Sequence, residues 1–240
     1  MKTDVLGISF DNVTMEEALD RAEELMAQDG PHRVVTPNAE FVQTAKKDAQ
    51  FRALLNGADL VIPDGIGVVY AAKILGRPLK GRVPGVEFAA GLCARMAKGG
   101  GRLFLLGAKP GVAELAAARL LADNPGLSVC GTHDGYFQDG GPVADQIKAA
   151  CADVVFVCLG APKQEQWMAD WGERCGARLL VGLGGSMDVF AGQVKRAPEG
   201  WRKLGLEWLY RLLKQPSRIG RMAKLPLFLV DAAAARISGK

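Results

Sequence analysis

With 240 residues, 49% of them hydrophobic and 23% charged, the chain is long enough for one substantial core and too apolar to be a disordered polypeptide. Cys93, Cys130, Cys151, Cys158 and Cys175 form no CxxC pair and no zinc-like spacing, and the opening residues MKTDVLGISFDN hold no apolar signal core. Reduced thiols and a cytoplasmic location are therefore expected, and a disulfide-built or zinc-built domain is excluded. The net charge of +4 conceals a step: residues 1–194 carry 19 basic and 23 acidic side chains, whereas residues 195–224 carry 9 basic and 2 acidic ones.

Along residues 1–194, short β-branched or apolar runs alternate with longer helical periods. Thr14–Gln28 reads as a helix opened by a capping box of Thr14 with Glu17. A strand at Arg33–Thr36 leads into a helix at Ala39–Asn56, and a strand at Leu60–Ile62 into helices at Ile66–Leu75 and Val86–Ala97. Then come a strand at Arg102–Leu106, a helix at Val112–Ala122, a strand at Leu127–Gly131 and a helix at Val143–Cys151. The pattern ends with a strand at Val154–Leu159, a helix at Lys163–Arg174 and a strand at Leu179–Leu183. This alternation predicts an α/β fold, a largely parallel Rossmann-like sheet covered by helices.

Composition shifts near Gly192, dividing the chain into an α/β core, 1–194, and a C-terminal basic helical appendage, 195–240. Because the strand pattern ends before Gly185, a chain cut after Val194 is expected to fold. In the appendage Trp201, Leu204, Trp208, Leu212 and Leu213 fall on one helical face among the cations, a pattern suited to an anionic membrane surface. The best apolar run, Leu225–Val230, contains Pro226 and is followed by Asp231, well short of the ~20 residues that span a bilayer. Membrane contact is accordingly expected to be peripheral.

In an open parallel sheet, ligands bind where strand ends meet helix starts, because loops converge there and helix N-termini present unpaired N–H groups. The unusual residues of this chain lie at such places: Thr36-Pro37-Asn38, Pro63-Asp64-Gly65, Gly107 to Gly111, Gly160 to Gln164, and Gly182 to Ser186. There is no Walker phosphate loop, no HExxH, no complete dinucleotide glycine fingerprint and no DxD pair to hold a metal on a nucleotide diphosphate. With only His32 and His133 in the chain, and His133 readable as a loop residue, a carboxylate is the better candidate for a base. Asp64, between Pro63 and Gly65, is the strongest, although an aspartate in such a turn is also what a helix cap looks like. Arg82, in the loop Gly81-Arg82-Val83-Pro84-Gly85, suits phosphate or carboxylate recognition and equally fits a surface arginine.

Eight blocks occur in order: TPNAEFV (36–42), LVIPDGIGVV (60–69), GRVPG (81–85), LFLLGAKPG (103–111), HDGYF (133–137), LGAPKQEQW (159–167), GGSMDVFAG (184–192) and RAPEGWRKLGLEWLYRLLKQPSRIGRM (196–222). Over nearly its whole length the chain thereby resembles the WecG/TagA/CpsF family of bacterial glycosyltransferases. The resemblance implies an inverting transfer of a sugar, N-acetylmannosamine or its uronic acid in well-known members, from a UDP-sugar donor. The acceptor would be a polyprenyl-diphosphate-linked N-acetylglucosamine at the cytoplasmic membrane face, in surface polysaccharide or teichoic acid synthesis. It also implies roles for residues: Asp64 as general base, Thr36 and Asn38 in the pocket, Arg82 in its loop, Gln164 of the PKQE block, and Arg211, Arg218 and Arg221 of the tail.

In such a transfer a base takes a proton on one side while charge grows on the departing diphosphate on the other. With no DxD pair, cations and helix N-termini are expected to serve the second task without a metal or other cofactor. Another UDP-hexose donor in exopolysaccharide synthesis is an alternative within the family. Two other classes stand further off. A nucleotide-dependent oxidoreductase would fit the sheet but not the incomplete fingerprint. A non-catalytic module whose basic tail binds membrane or nucleic acid leaves Asp64 and the strand-end loops without purpose, and no nucleic acid partner is expected.

Overall fold

A computed structural model describes residues 1–198, 200–201, 209–210, 213 and 224–238. The chain opens with an antiparallel hairpin, β1 (Lys2–Val5) and β2 (Ile8–Asp11), turning at Leu6 (φ 52°) and Gly7 (φ 90°). Six further strands, β3 (His32–Val35), β4 (Leu60–Val61), β5 (Arg102–Gly107), β6 (Ser128–His133), β7 (Val154–Cys158) and β8 (Leu179–Gly182), form one sheet in the order β4-β3-β8-β7-β5-β6. Every pairing in it is parallel. The α/β expectation holds, and all six sheet strands lie within a residue or two of where β-branched runs place them.

Strand alternation sorts the core into two layers. Val35, Val61, Phe104, Leu106, Val155, Val157 and Leu180 point to one face of the sheet. Helices α2 (Ala39–Ala45), α3 (Ala49–Asn56), α4 (Ile66–Ile74), α7 (Gly141–Ala149) and α8 (Lys163–Cys175) cover that face. Val34, Leu60, Leu103, Leu105, Phe156, Leu179 and Val181 point to the other. There they meet α1 (Met15–Met26), α5 (Gly85–Gly99), α6 (Val112–Asp123) and α9 (Ser186–Phe190). The capping box at α1 is present: Glu17 N–H donates to Thr14 Oγ1 at 3.3 Å and Thr14 N–H to Glu17 Oε2 at 2.8 Å.

Three features depart from the sequence expectation. The single helix expected over 39–56 is two, because Asp48 accepts from Phe51 N–H at 2.9 Å and starts α3 afresh. The hairpin is an addition, tied down by Asn56, which accepts from Ser9 N–H and donates to Gly7 O at 2.9 Å each. The last helix, α10 (Lys224–Ile237), packs on α2 and α4 with Phe228 and Ala232 fully buried in the first core layer. Pro226 stands in its first turn, where a missing N–H breaks no bond. Asp231 of α10 accepts from Lys46 Nζ at 2.6 Å and from Gln43 Nε2 at 2.7 Å. The core thus includes residues beyond Val194, so a chain cut there lacks part of it.

Candidate active site

The order of the strands makes a crevice. The chain runs outward from β3 to β4, then outward on the other side from β5 to β6, and only then fills the middle with β7 and β8. Because β3 and β8 are parallel neighbours, their carboxyl ends and the loops that follow them lie side by side, and strand ends of this kind are where ligands sit in such sheets.

Backbone bonds draw the loops of this edge together. After β3, Pro37 O accepts from Asp64 N–H at 3.2 Å; after β4, Pro63 O accepts from Val83 N–H at 2.9 Å. Asp64 is thus sewn between the Thr36-Pro37-Asn38 loop and the loop that carries Arg82. Gly65, at φ 130°, is the N-cap of α4, a conformation a side chain would strain, and no side chain caps that helix. The helix-cap reading of Asp64 therefore finds no cap bond at α4, and the partly buried residue stands at its threshold. Next to it, α5 begins at Pro84, also without a side-chain cap, and a Cβ on Gly85 would lie 3.1 Å from Thr36 Cγ2. Two helix N-termini and the Arg82 loop form one wall of the crevice, an arrangement that favours a negatively charged group.

The opposite wall is the end of β8. Thr36, only 5% exposed, donates from Oγ1 to Gly182 O at 2.9 Å, fastening β3 to β8. Gln164, fully buried in the first turn of α8, accepts from Gly184 N–H at 2.9 Å. A Cβ at Gly182 would lie 2.9 Å from Gln164 Nε2, so a side chain there would push the carboxamide out of place.

The basic segment begins and ends at this same rim. Arg196 Nη2 donates to Glu87 Oε1 at 2.7 Å, in the first turn of α5. At the other end Leu225 lies directly over Gly67, in the first turn of α4.

Comparison with known proteins decides the lineage: the family model described as "Glycosyl transferase WecG/TagA/CpsF family" matches residues 3–240. The chain belongs to this family. Among curated relatives, a Bacillus spizizenii protein is 40% identical over 196 residues, 82% of this chain and 76% of its own length. A Staphylococcus aureus protein is 37% identical over 239 residues, 98% of this chain and 93% of its own. Both are named N-acetylglucosaminyldiphosphoundecaprenol N-acetyl-beta-D-mannosaminyltransferase. Membership makes this a transferase and leaves the oxidoreductase and non-catalytic readings without support.

Of the residues the family resemblance singles out, the structure gathers Thr36, Asn38, Asp64 and Arg82 at one edge, through the bonds given above. Asn38 caps α2, its Oδ1 accepting from Glu40 N–H at 2.9 Å and Phe41 N–H at 3.3 Å. Gln164 reaches the crevice through Gly184, its own carboxamide lying behind the turn. Arg211, Arg218 and Arg221 lie outside the described residues. His133 ends β6, with Nδ1 2.7 Å from Asp134 O and its ring edge-on to Phe137, away from the Asp64 wall.

Two groups escape a reading of the sequence. Glu87 and Arg196 are 109 positions apart, and only the fold pairs them. Glu165 is 1% exposed; burial pushes its carboxyl up to about 7, opposed by its hydrogen bond from Gln164 and by its own backbone N–H. A signal existed for Glu165: glutamate at the third position of a helix normally bonds back to the cap N–H, and here the cap is Pro162, which has none.

Proposed function

We propose that the chain transfers N-acetylmannosamine, with inversion, from UDP-N-acetylmannosamine to N-acetylglucosaminyl-diphosphoundecaprenol. The observation that carries this reading is likeness along 98% of the chain to a transferase of that name, spanning both the Asp64 wall and the basic segment. Asp64 is the base. An acceptor hydroxyl oxygen bonds to the anomeric carbon while the bond from that carbon to the β-phosphate oxygen breaks. The electron pair leaves with UDP, and the hydroxyl proton passes to the Asp64 carboxylate.

The growing charge on UDP is met by the N-termini of α4 and α5, by Arg82, and by the tail arginines Arg211, Arg218 and Arg221. What supports a place for the tail arginines is that the described residues on either side of them, Arg196 and Leu225, both sit at the rim. Thr36 and Asn38 hold the β3 end of the pocket. Transfer without a divalent cation follows from the missing DxD pair and this supply of cations; activity lost in EDTA and restored by magnesium or manganese would contradict it.

Among the described residues no helix is long and apolar enough to cross a membrane. The basic, tryptophan-bearing segment suits reversible docking on the anionic inner face of the plasma membrane, where a soluble donor meets an embedded acceptor. The test is a donor screen with purified protein and a lipid-diphosphate-N-acetylglucosamine acceptor analogue, read as UDP release. UDP-N-acetylmannosamine should be the best donor; preference for another UDP-hexose would move the chain to a different pathway of the same family.

A further inference from the structure

Glu165 has no part in the chemistry just described, yet it is the most deeply buried carboxyl group among the described residues. Its Oε1 accepts from Gln164 Nε2 at 2.7 Å, and its Oε2 is enclosed without a hydrogen-bond partner. The helix-cap role usual for its position is closed to it by Pro162. A buried polar group of this kind is costly, and its bond from Gln164 lies on a chain that ends in the crevice. Through that bond Gln164 offers its NH2 to Glu165, which leaves its oxygen facing Gly184 N–H at 2.9 Å. Without an acceptor at 165 only Gly184 N–H is left to hold this orientation, and the NH2 it leaves behind loses its partner; in the flipped orientation two donors would meet at Gly184.

We propose that Glu165 is a positioning residue for transfer: it fixes the carboxamide of Gln164 and thereby the Gly182–Ser186 turn opposite Asp64. Thr36 holds that turn from the β3 side through Gly182 O, and the Glu165–Gln164 pair holds it from the α8 side through Gly184 N–H. The turn is anchored twice, as a wall must be if it is to keep a donor sugar within reach of a base; displacement of a site by about 1 Å costs on the order of a hundredfold in rate. The inference rests on the proposed transferase reading for its kinetic consequence and on the hydrogen-bond chain alone for its structural one.

The test compares Glu165→Gln, which keeps an acceptor for Gln164, with Glu165→Met, which keeps the volume and removes the acceptor, and with Gln164→Met and the Gln164→Met/Glu165→Met pair. Glu165→Met should lower kcat by about tenfold or more with the acceptor KM unchanged, and Glu165→Gln should recover activity to within about threefold of wild type. The double variant should lose no more than Gln164→Met alone, because both changes cut one chain. Independently of turnover, the Gly184 amide should exchange with solvent faster in Glu165→Met than in wild type and at the wild-type rate in Glu165→Gln. Additive losses, a Glu165→Gln protein as impaired as Glu165→Met, or unchanged Gly184 exchange in Glu165→Met would each overturn the proposal. If Glu165→Met does not fold, exchange at Gly184 in Glu165→Gln and Gln164→Met decides it: protection retained in the first and lost in the second upholds the chain, and any other pattern refutes it. A wild-type protein that releases no UDP would sink the transferase reading while leaving the exchange comparison to judge Glu165.

Discussion

The turn that carries Asp64 is held by backbone bonds, from Asp64 N–H to Pro37 O and from Val83 N–H to Pro63 O, so its carboxyl group can be altered without dismantling the turn. Asp64→Asn should leave UDP affinity largely intact, as read by calorimetry, while turnover falls by about a hundredfold or more, the scale of losing a general base. Near-normal turnover in a folded Asp64→Asn protein would remove the residue from the chemistry. Glu165 makes a different prediction, because burial raises its folded pKa from 4.5 to about 7. Between those values the folded state holds a proton that the unfolded chain has released, so stability falls as pH rises through this window, reaching a cost of about 3 kcal/mol above it. Glu165→Gln should therefore be more stable than wild type to urea at pH 8, with the advantage shrinking toward pH 5; a pH-independent difference would contradict this. The turn that carries Asp64 was legible in the sequence because Pro-Asp-Gly after an apolar run announces a strand end. For Glu165 the sequence carries only the hint that Pro162 denies it the usual cap bond; its burial is set by the packing of α8 in the fold, which no local pattern encodes.

Among the elements, the six sheet strands were readable because each is a short β-branched or apolar run, and burial on both faces of a parallel sheet demands such runs. The hairpin was hidden by Leu6, a residue seldom found at positive φ, standing where asparagine or glycine would have marked the turn. A helical appendage was expected over 195–240, but the docking of α10 on the core was hidden by Pro226, which reads as a breaker until it is placed in a first turn. That helix now carries a prediction of its own: Phe228 has no exposed surface, and Phe228→Ala should cost roughly 3–5 kcal/mol in chemical unfolding. Truncation after Val194 removes the same ring and uncovers the faces of α2 and α4 on which α10 packs, so the shortened chain should melt lower than the full one and bind an apolar dye. A truncated chain with the melting temperature of the full one would show that α10 contributes nothing to the core. Acid should loosen this docking as well. Hydrogen bonds from Lys46 and Gln43 hold the Asp231 carboxyl below its ordinary range, and the stability they add, present at neutral pH, is lost as pH falls through that lowered value.

At the scale of the whole molecule, the step from an acidic first 194 residues to a strongly basic segment separates two tasks that one chain must perform together. A uniformly basic enzyme would be drawn to the membrane in any orientation. Of that segment and its border, Arg196 lies on the first turn of α5 and Leu225 on the first turn of α4, beside the helix N-termini where the leaving diphosphate is proposed to sit. Attraction to anionic lipid and stabilisation of UDP then draw on the same cations, and the two roles separate by experiment. Arg218→Ala/Arg221→Ala should abolish nearly all transfer to a short, water-soluble acceptor in the absence of any membrane, because the cations are missing from the site itself. Its binding to anionic liposomes should weaken only in part, by about 1 kcal/mol for each arginine removed, since seven basic residues of the segment remain, and the residual binding should fall as salt rises. A variant that keeps full turnover on the soluble acceptor while losing liposome binding would assign Arg218 and Arg221 to the membrane alone and leave Arg82 and the two helix N-termini to meet the charge of UDP.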